Sequence, residues 1–250
     1  MIKLNRGEKP KELTAEVCNE LKKLYAENKD RDVWNSPKIK EPLKRAILEM
    51  SYEKCSYCEC KLAVESKDVT IDHFLPKSIN PDKIVEWENL FPACLRCNRK
   101  KNNREEKIIN PCNDEPKKYI GVSNANRYRL KPIGSTGIGE NTLEVIGLND
   151  IDRVMIPRMK EWETLKDHLL EIEEDIKECG YGYKRKYKNR LQKIMEECLP
   201  EKSYAAIKST NILNDESYKI IKDIIVAEGQ WTDELKEIET ELKKISLKLL

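Results

Sequence analysis

Hydrophobic residues recur at helical spacing through the second half of the chain. Two stretches place them at steps of three and four, along one face of a helix: Met155, Met159, Trp162, Leu165, Leu169, Ile172 and Ile176, then Trp231, Leu235, Ile238, Leu242, Ile245 and Leu249. Each of these two apolar seams is too short to define a coiled coil. The pattern favours an antiparallel helical bundle and leaves open that a seam docks a helix of a partner.

The first half of the chain mixes shorter helical and β-type patterns. Residues 11–29 and roughly 38–50 carry apolar residues at helical spacing, and Val69-Thr70-Ile71 is a short β-prone run. A further helix is predicted from about Asn98 until Asn110-Pro111 stops it. The segment 142–146 is rich in β-branched residues and predicts a short strand.

Composition excludes several classes of protein. The 250 residues carry 47 Lys+Arg against 45 Asp+Glu, a net charge of +2, so contacts with nucleic acid have to come from local patches. No apolar run approaches the ~20 residues that span a bilayer, and the charged stretch from Met1 to Pro10 does not resemble a signal peptide. Nine cysteines, an odd number, indicate metal ligands in a reducing cytosol rather than a disulfide framework. We therefore expect a cytoplasmic protein.

Two Cys-x-x-Cys pairs predict one structural zinc ion. Cys55 and Cys58 form the first pair and Cys94 and Cys97 the second, with 35 residues between the pairs. Four thiolates from two tight turns are a usual ligand set for tetrahedral Zn²⁺. The separation exceeds that of ordinary zinc ribbons, so a sizeable insertion lies between the pairs. Alternatives are buried free cysteines, or replacement of a ligand by a nearby cysteine, Cys60 or Cys112.

The insertion carries an Asp-His pair of the kind found in hydrolytic active sites. Only two histidines occur in the chain. His168 lies beside an apolar helical stripe, whereas His73 follows the β-prone run and opens a loop. An imidazole can take a proton from water near neutral pH. The oxygens of Asp72 and Asn98 suit a hard cation.

These motifs resemble those of the HNH endonucleases of ββα-metal fold. The resemblance covers about residues 52–105 and rests on four elements in order: Cys55-x-x-Cys58, Ile71-Asp72-His73-Phe-Leu-Pro76-Lys-Ser78, Glu88-Asn89-Leu90 and Cys94-x-x-Cys97-Asn98-x-x-Lys101. It implies roles for five residues: general base (His73), ligands of a catalytic Mg²⁺ or Mn²⁺ (Asp72 and Asn98), a brace for the loop (Asn89) and a cation near the phosphate or leaving group (Lys101). Asn98 stands where other members have His.

The resemblance implies hydrolysis of phosphodiester bonds in DNA, leaving 5′-phosphate and 3′-hydroxyl ends. RNA, including transfer RNA, is an alternative substrate, since the same site can cut either backbone. A zinc-stabilised module that binds nucleic acid or protein without catalysis is the other alternative, but it has no need of Asp72, His73 and Asn98 together.

The predicted fold is mainly α with a small, zinc-stabilised ββα-metal (HNH) module between helical N- and C-terminal parts. We assign residues 1–50 to an N-terminal helical segment and 51–125 to the nuclease module. Residues 126–250 form a mostly helical C-terminal region with possible partner docking.

A looser resemblance extends over most of residues 1–160. The start of the chain, Asn110-Pro-Cys-Asn-Asp-Glu-Pro116 and Leu143-x-x-Ile146-Gly-Leu-Asn149 are similar to sequences in the HNH effectors of Septu anti-phage systems (PtuB-like), including retron-associated ones. This resemblance implies antiviral defence and an ATPase partner (PtuA-like).

Basic residues cluster beside the candidate catalytic residues. The predicted nucleic-acid contacts are Arg96, Arg99, Lys100 and Arg104, a local surplus of positive charge that attracts a phosphate backbone. A second basic run, from Lys184 to Arg190, is more typical of a solvated helix face. Neither patch predicts readout of base edges.

Overall fold

A computed structural model describes residues 1–62 and 69–250. Residues 63–68, inside the predicted module, lie outside this description. The helices are α1 (Ala15–Glu27), α2 (Lys40–Met50), α3 (Leu95–Lys101), α4 (Ile138–Ile146), α5 (Ile156–Glu178), α6 (Arg185–Glu196), α7 (Ala205–Leu213), α8 (Glu216–Ala227) and α9 (Asp233–Ile245). The strands are β1 (Val69–His73), β2 (Leu90–Cys94), β3 (Ile120–Val122), β4 (Leu130–Pro132) and β5 (Lys248–Leu249). The predicted mainly α fold with a small ββα module is confirmed.

The strands β1 and β2 form an antiparallel pair that α3 covers on one side. Val69 lies opposite Cys94, and the pairing runs through the whole of both strands. Because side chains alternate along a strand, Thr70 and Asp72 share one face of β1. That face receives side chains of α3, whereas His73 points to the opposite side of the strand.

Helix α3 differs from its predicted range. It begins at Leu95, directly after β2, because the Cys94 sulfur accepts the backbone N–H of Cys97 and caps the helix. It ends at Lys101, well before the predicted stop, since Asn102 adopts a positive φ of 49° that turns the chain away. The second Cys-x-x-Cys pair therefore spans a strand-to-helix junction.

The N-terminal helices α1 and α2 support the loop that follows β1. Helix α1 begins after the Thr14 cap, whose hydroxyl accepts the N–H of Val17. Apolar residues of both helices and of the loop share one core: Leu21, Tyr25, Leu43, Ile47, Ile84, Val85, Trp87 and Leu90. The loop leaving His73 thus lies on packed hydrophobic surface.

Buried residues of both apolar seams pack against other helices of the same protein. Trp162, Leu169, Leu235 and Leu242 are buried in a core shared by helices α5 to α9. The bundle interpretation accounts for these buried residues, whereas other seam residues, including Met159, Trp231 and Ile238, are half-buried, and docking of a partner helix stays a prediction. The second seam is helical only to Ile245, and its last residue instead lies in β5, which runs parallel to β3. No helix among the described residues combines the length and apolar character needed to cross a membrane.

The prediction of a strand at 142–146 is wrong, because these residues end α4. The helix lies between Gly137 and Gly147, both with positive φ, as helix-flanking glycines often have. Thr142 is buried and its hydroxyl donates to the Ile138 carbonyl one turn earlier. Burial of one helix face has overridden the β preference of the branched residues.

The C-terminal helices dock on the first Cys-x-x-Cys pair. A Glu59 oxygen accepts the N–H of Ala206 at 3.2 Å, at the N-terminus of α7. The Lys54 ammonium donates to the Lys202 carbonyl at 2.9 Å and lies 3.6 Å from Glu59. One core joins residues of all three predicted segments, including Leu4, Cys55, Tyr57, Ile120, Val145, Ile207 and Leu247.

Candidate active site and metal centre

The four predicted zinc ligands come together at one point. The sulfur atoms of Cys55, Cys58, Cys94 and Cys97 all lie within 4.8 Å of one another. Two of these atoms, in Cys58 and Cys94, are 3.9 Å apart. Zinc–sulfur bonds of ~2.3 Å in a tetrahedron place sulfurs roughly 3.8 Å apart, so the ligand set fits zinc.

Neither alternative cysteine belongs to the group of four sulfurs, but the Cys60 thiol lies next to those of Cys55, Cys58 and Cys94. Cys60 follows the first pair, and its carbonyl accepts the Cys55 N–H at 2.9 Å, which closes the knuckle turn. The Cys112 sulfur lies 3.9 Å from the Met50 sulfur instead. The geometry thus favours the four predicted ligands.

Sequence reasoning missed Arg153, a distant residue that contacts the cluster. Its guanidinium donates to the Cys97 sulfur at 3.5 Å and to the carbonyls of Ile146 and Gly147 at 2.7 and 2.8 Å. A zinc ion with four thiolates carries net negative charge, which this cation offsets. No local sequence signal marks Arg153, because it is 56 positions from Cys97.

Asp72 is buried and hydrogen-bonded through both oxygens. Tyr57 donates its hydroxyl to Oδ2 at 2.5 Å, and the Lys101 ammonium lies 3.2 Å from Oδ1. Burial raises the pKa of Asp72, and the charge of Lys101 and the two hydrogen bonds oppose that rise. These two hydrogen bonds fix the orientation of the Asp72 carboxylate near the C-terminal end of β1.

Lys101 is buried between Asp72 and the backbone of His73. It is 1% exposed, and its ammonium donates to the His73 carbonyl at 2.6 Å as well as to Asp72. The expected role of Lys101 as a cation near the phosphate or leaving group stays a prediction. Its burial follows from its position on the inner face of α3, one turn after Cys97.

The His73 ring is oriented by the loop that follows it. Its Nε2 lies 3.1 Å from the Ile84 carbonyl oxygen. Because a carbonyl only accepts, this contact requires the proton on Nε2 and leaves a lone pair on Nδ1. Burial lowers the pKa of His73 to about 4, although the bond to Ile84 opposes the shift. The imidazole is consequently neutral at pH 7 and able to accept a proton.

Asn89 binds the loop backbone at three points. Its Oδ1 accepts the N–H of Leu75 at 2.7 Å, and its Nδ2 donates to the carbonyls of Leu75 and Lys83, each at 3.1 Å. The side chain is 4% exposed. These bonds match what a residue bracing the loop after His73 would make.

Asn98 lies on α3 against the same face of β1 as Asp72. Its Nδ2 donates to the Thr70 hydroxyl at 3.0 Å, and no donor to its Oδ1 is found among residues 1–62 and 69–250. An amide oxygen and a carboxylate oxygen are donors that hard divalent cations prefer. The chemistry of these two donors fits such an ion, and in this structure both Asp72 oxygens are engaged by Tyr57 and Lys101.

The predicted nucleic-acid contacts lie on the outer face of α3 and just beyond it. All four side chains are exposed: Arg96, Arg99, Lys100 and Arg104. Only Arg104 has an acidic partner among the described residues, Glu106 at 3.9 Å. The second basic run differs, because Lys186 and Arg190 pair with Asp175 and Glu171 of α5. Counting only partners within residues 1–62 and 69–250, Arg96, Arg99 and Lys100 of the first patch keep their positive charge unpaired.

A family of known proteins matches the segment that contains this candidate site. The HNH endonuclease family matches residues 55–104, the range that holds both cysteine pairs and all five candidate catalytic residues. The module is thus an HNH endonuclease domain, and the protein is a nuclease, a hydrolase of phosphodiester bonds.

Two relatives extend the similarity beyond the module. Septu protein PtuB of Bacillus thuringiensis is 36% identical over 245 residues, covering 94% of this chain and 90% of the relative. Septu protein PtuB of Bacillus mycoides (strain KBAB4) is 31% identical over 142 residues, covering 44% and 47%. The chain belongs to the Septu PtuB family.

Proposed function

We propose that this protein is a divalent-metal-dependent endonuclease that cuts DNA, with His73 as general base and Asp72 and Asn98 as ligands of Mg²⁺ or Mn²⁺. The observation that carries the proposal is the orientation of His73. The Ile84 carbonyl holds the Nε2–H, so Nδ1 is the proton acceptor, at the end of the strand that also presents Asp72.

The residues divide the chemistry among them. Nδ1 of His73 takes the proton of the attacking water, for which its neutral state at pH 7 is required. Asn89 keeps the loop, and so the imidazole, in place. Oxygens of Asp72 and Asn98 would hold the divalent ion, which when bound neutralises charge on the scissile phosphate and the leaving oxygen.

The exposed cations of α3 support nucleic acid as substrate. Arg96, Arg99 and Lys100 lie on the helix that carries Asn98, so they attract a phosphate backbone to that helix. We expect DNA with little sequence preference, cut to 5′-phosphate and 3′-hydroxyl ends. RNA as substrate is an outcome that the experiment below distinguishes.

The family supports a role in anti-phage defence. Similarity to Septu PtuB proteins extends over nearly the whole chain, and the Septu resemblance implies an ATPase partner (PtuA-like) that restrains or delivers the nuclease. Thiolate ligands suit the reducing cytoplasm.

The decisive experiment compares wild type with His73→Ala and His168→Ala on plasmid DNA. We expect cleavage with Mg²⁺ or Mn²⁺, none with EDTA, and loss only in His73→Ala, with zinc near one per chain throughout. The His168→Ala variant is the matched control, since it changes the other of the two histidines.

If folded, zinc-loaded wild type leaves DNA intact, the same assay is carried out with RNA as the substrate. It would then be repeated with the candidate ATPase. Failure in all three arms would contradict the nuclease proposal and favour the binding module.

A further inference from the structure

A tyrosine in the first zinc knuckle reaches the candidate catalytic carboxylate. Tyr57 lies between the zinc ligands Cys55 and Cys58, and its side chain is fully buried, at 0% exposure. Its hydroxyl donates to Asp72 Oδ2 at 2.5 Å. Residues 15 positions apart in sequence are thus joined in the interior.

The knuckle fixes the position of this tyrosine. Ser56 donates its N–H to the Pro92 carbonyl at 3.0 Å, which ties the turn to β2. The Cys55 N–H donates to the Cys60 carbonyl across the turn. With zinc bound, both flanking cysteines are also held by the metal. The Tyr57 side chain then has few accessible conformations, so its hydroxyl is held in one position beside Asp72.

The second knuckle reaches the same carboxylate by a different residue. Cys97 and Lys101 lie one turn apart on α3, and the Lys101 ammonium contacts Asp72 Oδ1. Each ligand-bearing turn therefore supplies one donor to one oxygen of Asp72. This arrangement links the geometry of the zinc cluster to the orientation of the carboxylate from both sides.

We propose that Tyr57 is a positioning residue that transmits the geometry of the zinc knuckle to Asp72. The inference rests on the proposed role of Asp72 as a ligand of the catalytic cation. Removing the hydroxyl lets the carboxylate rotate, so the affinity for that cation falls while the zinc cluster remains. Residues that orient metal ligands change metal affinity by about 10–100-fold when removed.

The test is Tyr57→Phe, with Tyr52→Phe as the control. Tyr52 lies in the approach to the same knuckle but is 42% exposed. We would measure zinc content, Mn²⁺ affinity by calorimetry, and cleavage rate against Mn²⁺ concentration. For Tyr57→Phe we expect full zinc, Mn²⁺ affinity weaker by about tenfold or more, and a correspondingly higher Mn²⁺ requirement, with Tyr52→Phe unchanged.

Wild-type Mn²⁺ affinity in a zinc-loaded Tyr57→Phe would overturn the inference. If that variant does not fold, 3-fluorotyrosine at position 57 keeps the shape and alters the strength of the hydrogen bond. Its Mn²⁺ affinity has to differ from that with 3-fluorotyrosine at position 52, and equality would overturn the inference. Cleavage that needs neither His73 nor a divalent ion would refute the proposed function itself, a distinct result.

Discussion

The Lys101 ammonium lies 3.2 Å from Asp72 Oδ1, and both side chains are buried, at 1% and 3% exposure. A buried ion pair loses the hydration of both charges, and its mutual attraction compensates only while both partners are present. Lys101 also bonds to the His73 carbonyl. The pair therefore connects α3 to the strand end that carries the candidate base.

We expect Lys101→Met to lower the free energy of unfolding by about 3–5 kcal/mol, because it leaves an unpaired carboxylate in the interior. The double variant Asp72→Asn with Lys101→Met should be destabilised by less than the sum of the single changes. Urea unfolding of the four proteins measures this coupling. Lys100→Met, an exposed neighbour on the same helix, is the control, and strictly additive effects would contradict a coupled pair.

Short motifs make the chemistry of the site predictable from the sequence. The four cysteines lie in two turns whose spacing is set by zinc coordination, and Asp72-His73 is a dipeptide. The structure brings the four sulfurs together, as that spacing indicates. Local spacing is sufficient here because each motif is a single turn or strand end.

Contacts between distant segments are not predictable in this way. Nothing near Arg153 in the sequence indicates a contact with Cys97, and nothing in the motif shows that Lys101 points inward. The strand expected at 142–146 is a helix for a related reason, since burial against other segments decides its conformation. These features depend on how distant segments pack against one another, and the pattern of residues in a single sequence does not specify that packing.

Loss of a zinc ligand should unfold the module. We expect Cys97→Ser to lose zinc and lower the melting temperature together, because structural zinc contributes on the order of 10 kcal/mol to the folding of small zinc domains. Cys112→Ser, which alters a thiol outside the cluster, should retain zinc. Zinc content by atomic absorption and thermal unfolding measure the two effects. A Cys97→Ser protein that loses zinc yet melts like wild type would show that zinc is not structural.

Removal of the Arg153 guanidinium should weaken zinc binding. We expect Arg153→Ala to reduce zinc affinity by about tenfold or more, because the thiolate cluster loses a cationic donor. Competition with a chromogenic chelator gives the affinity. Arg129→Ala, at an exposed arginine, is the control. Unchanged zinc affinity together with lower stability would mean that Arg153 acts only through the Ile146 and Gly147 carbonyls.

Glu239 of α9 is a buried acidic residue whose ionisation stabilises the helical bundle. Glu239 is 8% exposed and accepts hydrogen bonds from Tyr218 at 3.0 Å, from Lys243 at 2.9 Å and from Lys222. Burial opposes ionisation of Glu239, but these donors outweigh it and lower the pKa of the carboxyl. A carboxyl with a lowered pKa binds its proton less readily in the folded state than in the unfolded state. Its stabilisation is therefore present above the unfolded pKa of about 4.3 and disappears as the pH falls through the folded value.

We consequently expect Glu239→Gln to lower the free energy of unfolding at pH 7 by about 1–3 kcal/mol, since hydrogen bonds to a charged group are replaced by weaker ones to an amide. The difference from wild type should shrink as the pH falls below the unfolded pKa, because wild type then loses the same charge. Urea unfolding at pH 7, 5 and 3.5 measures it. Glu241→Gln, in the exposed ion pair with Lys244, is the matched control and should change stability little at any of these pH values. A constant difference between Glu239→Gln and wild type across the series would show that the packing of the side chain, rather than its charge, stabilises the bundle.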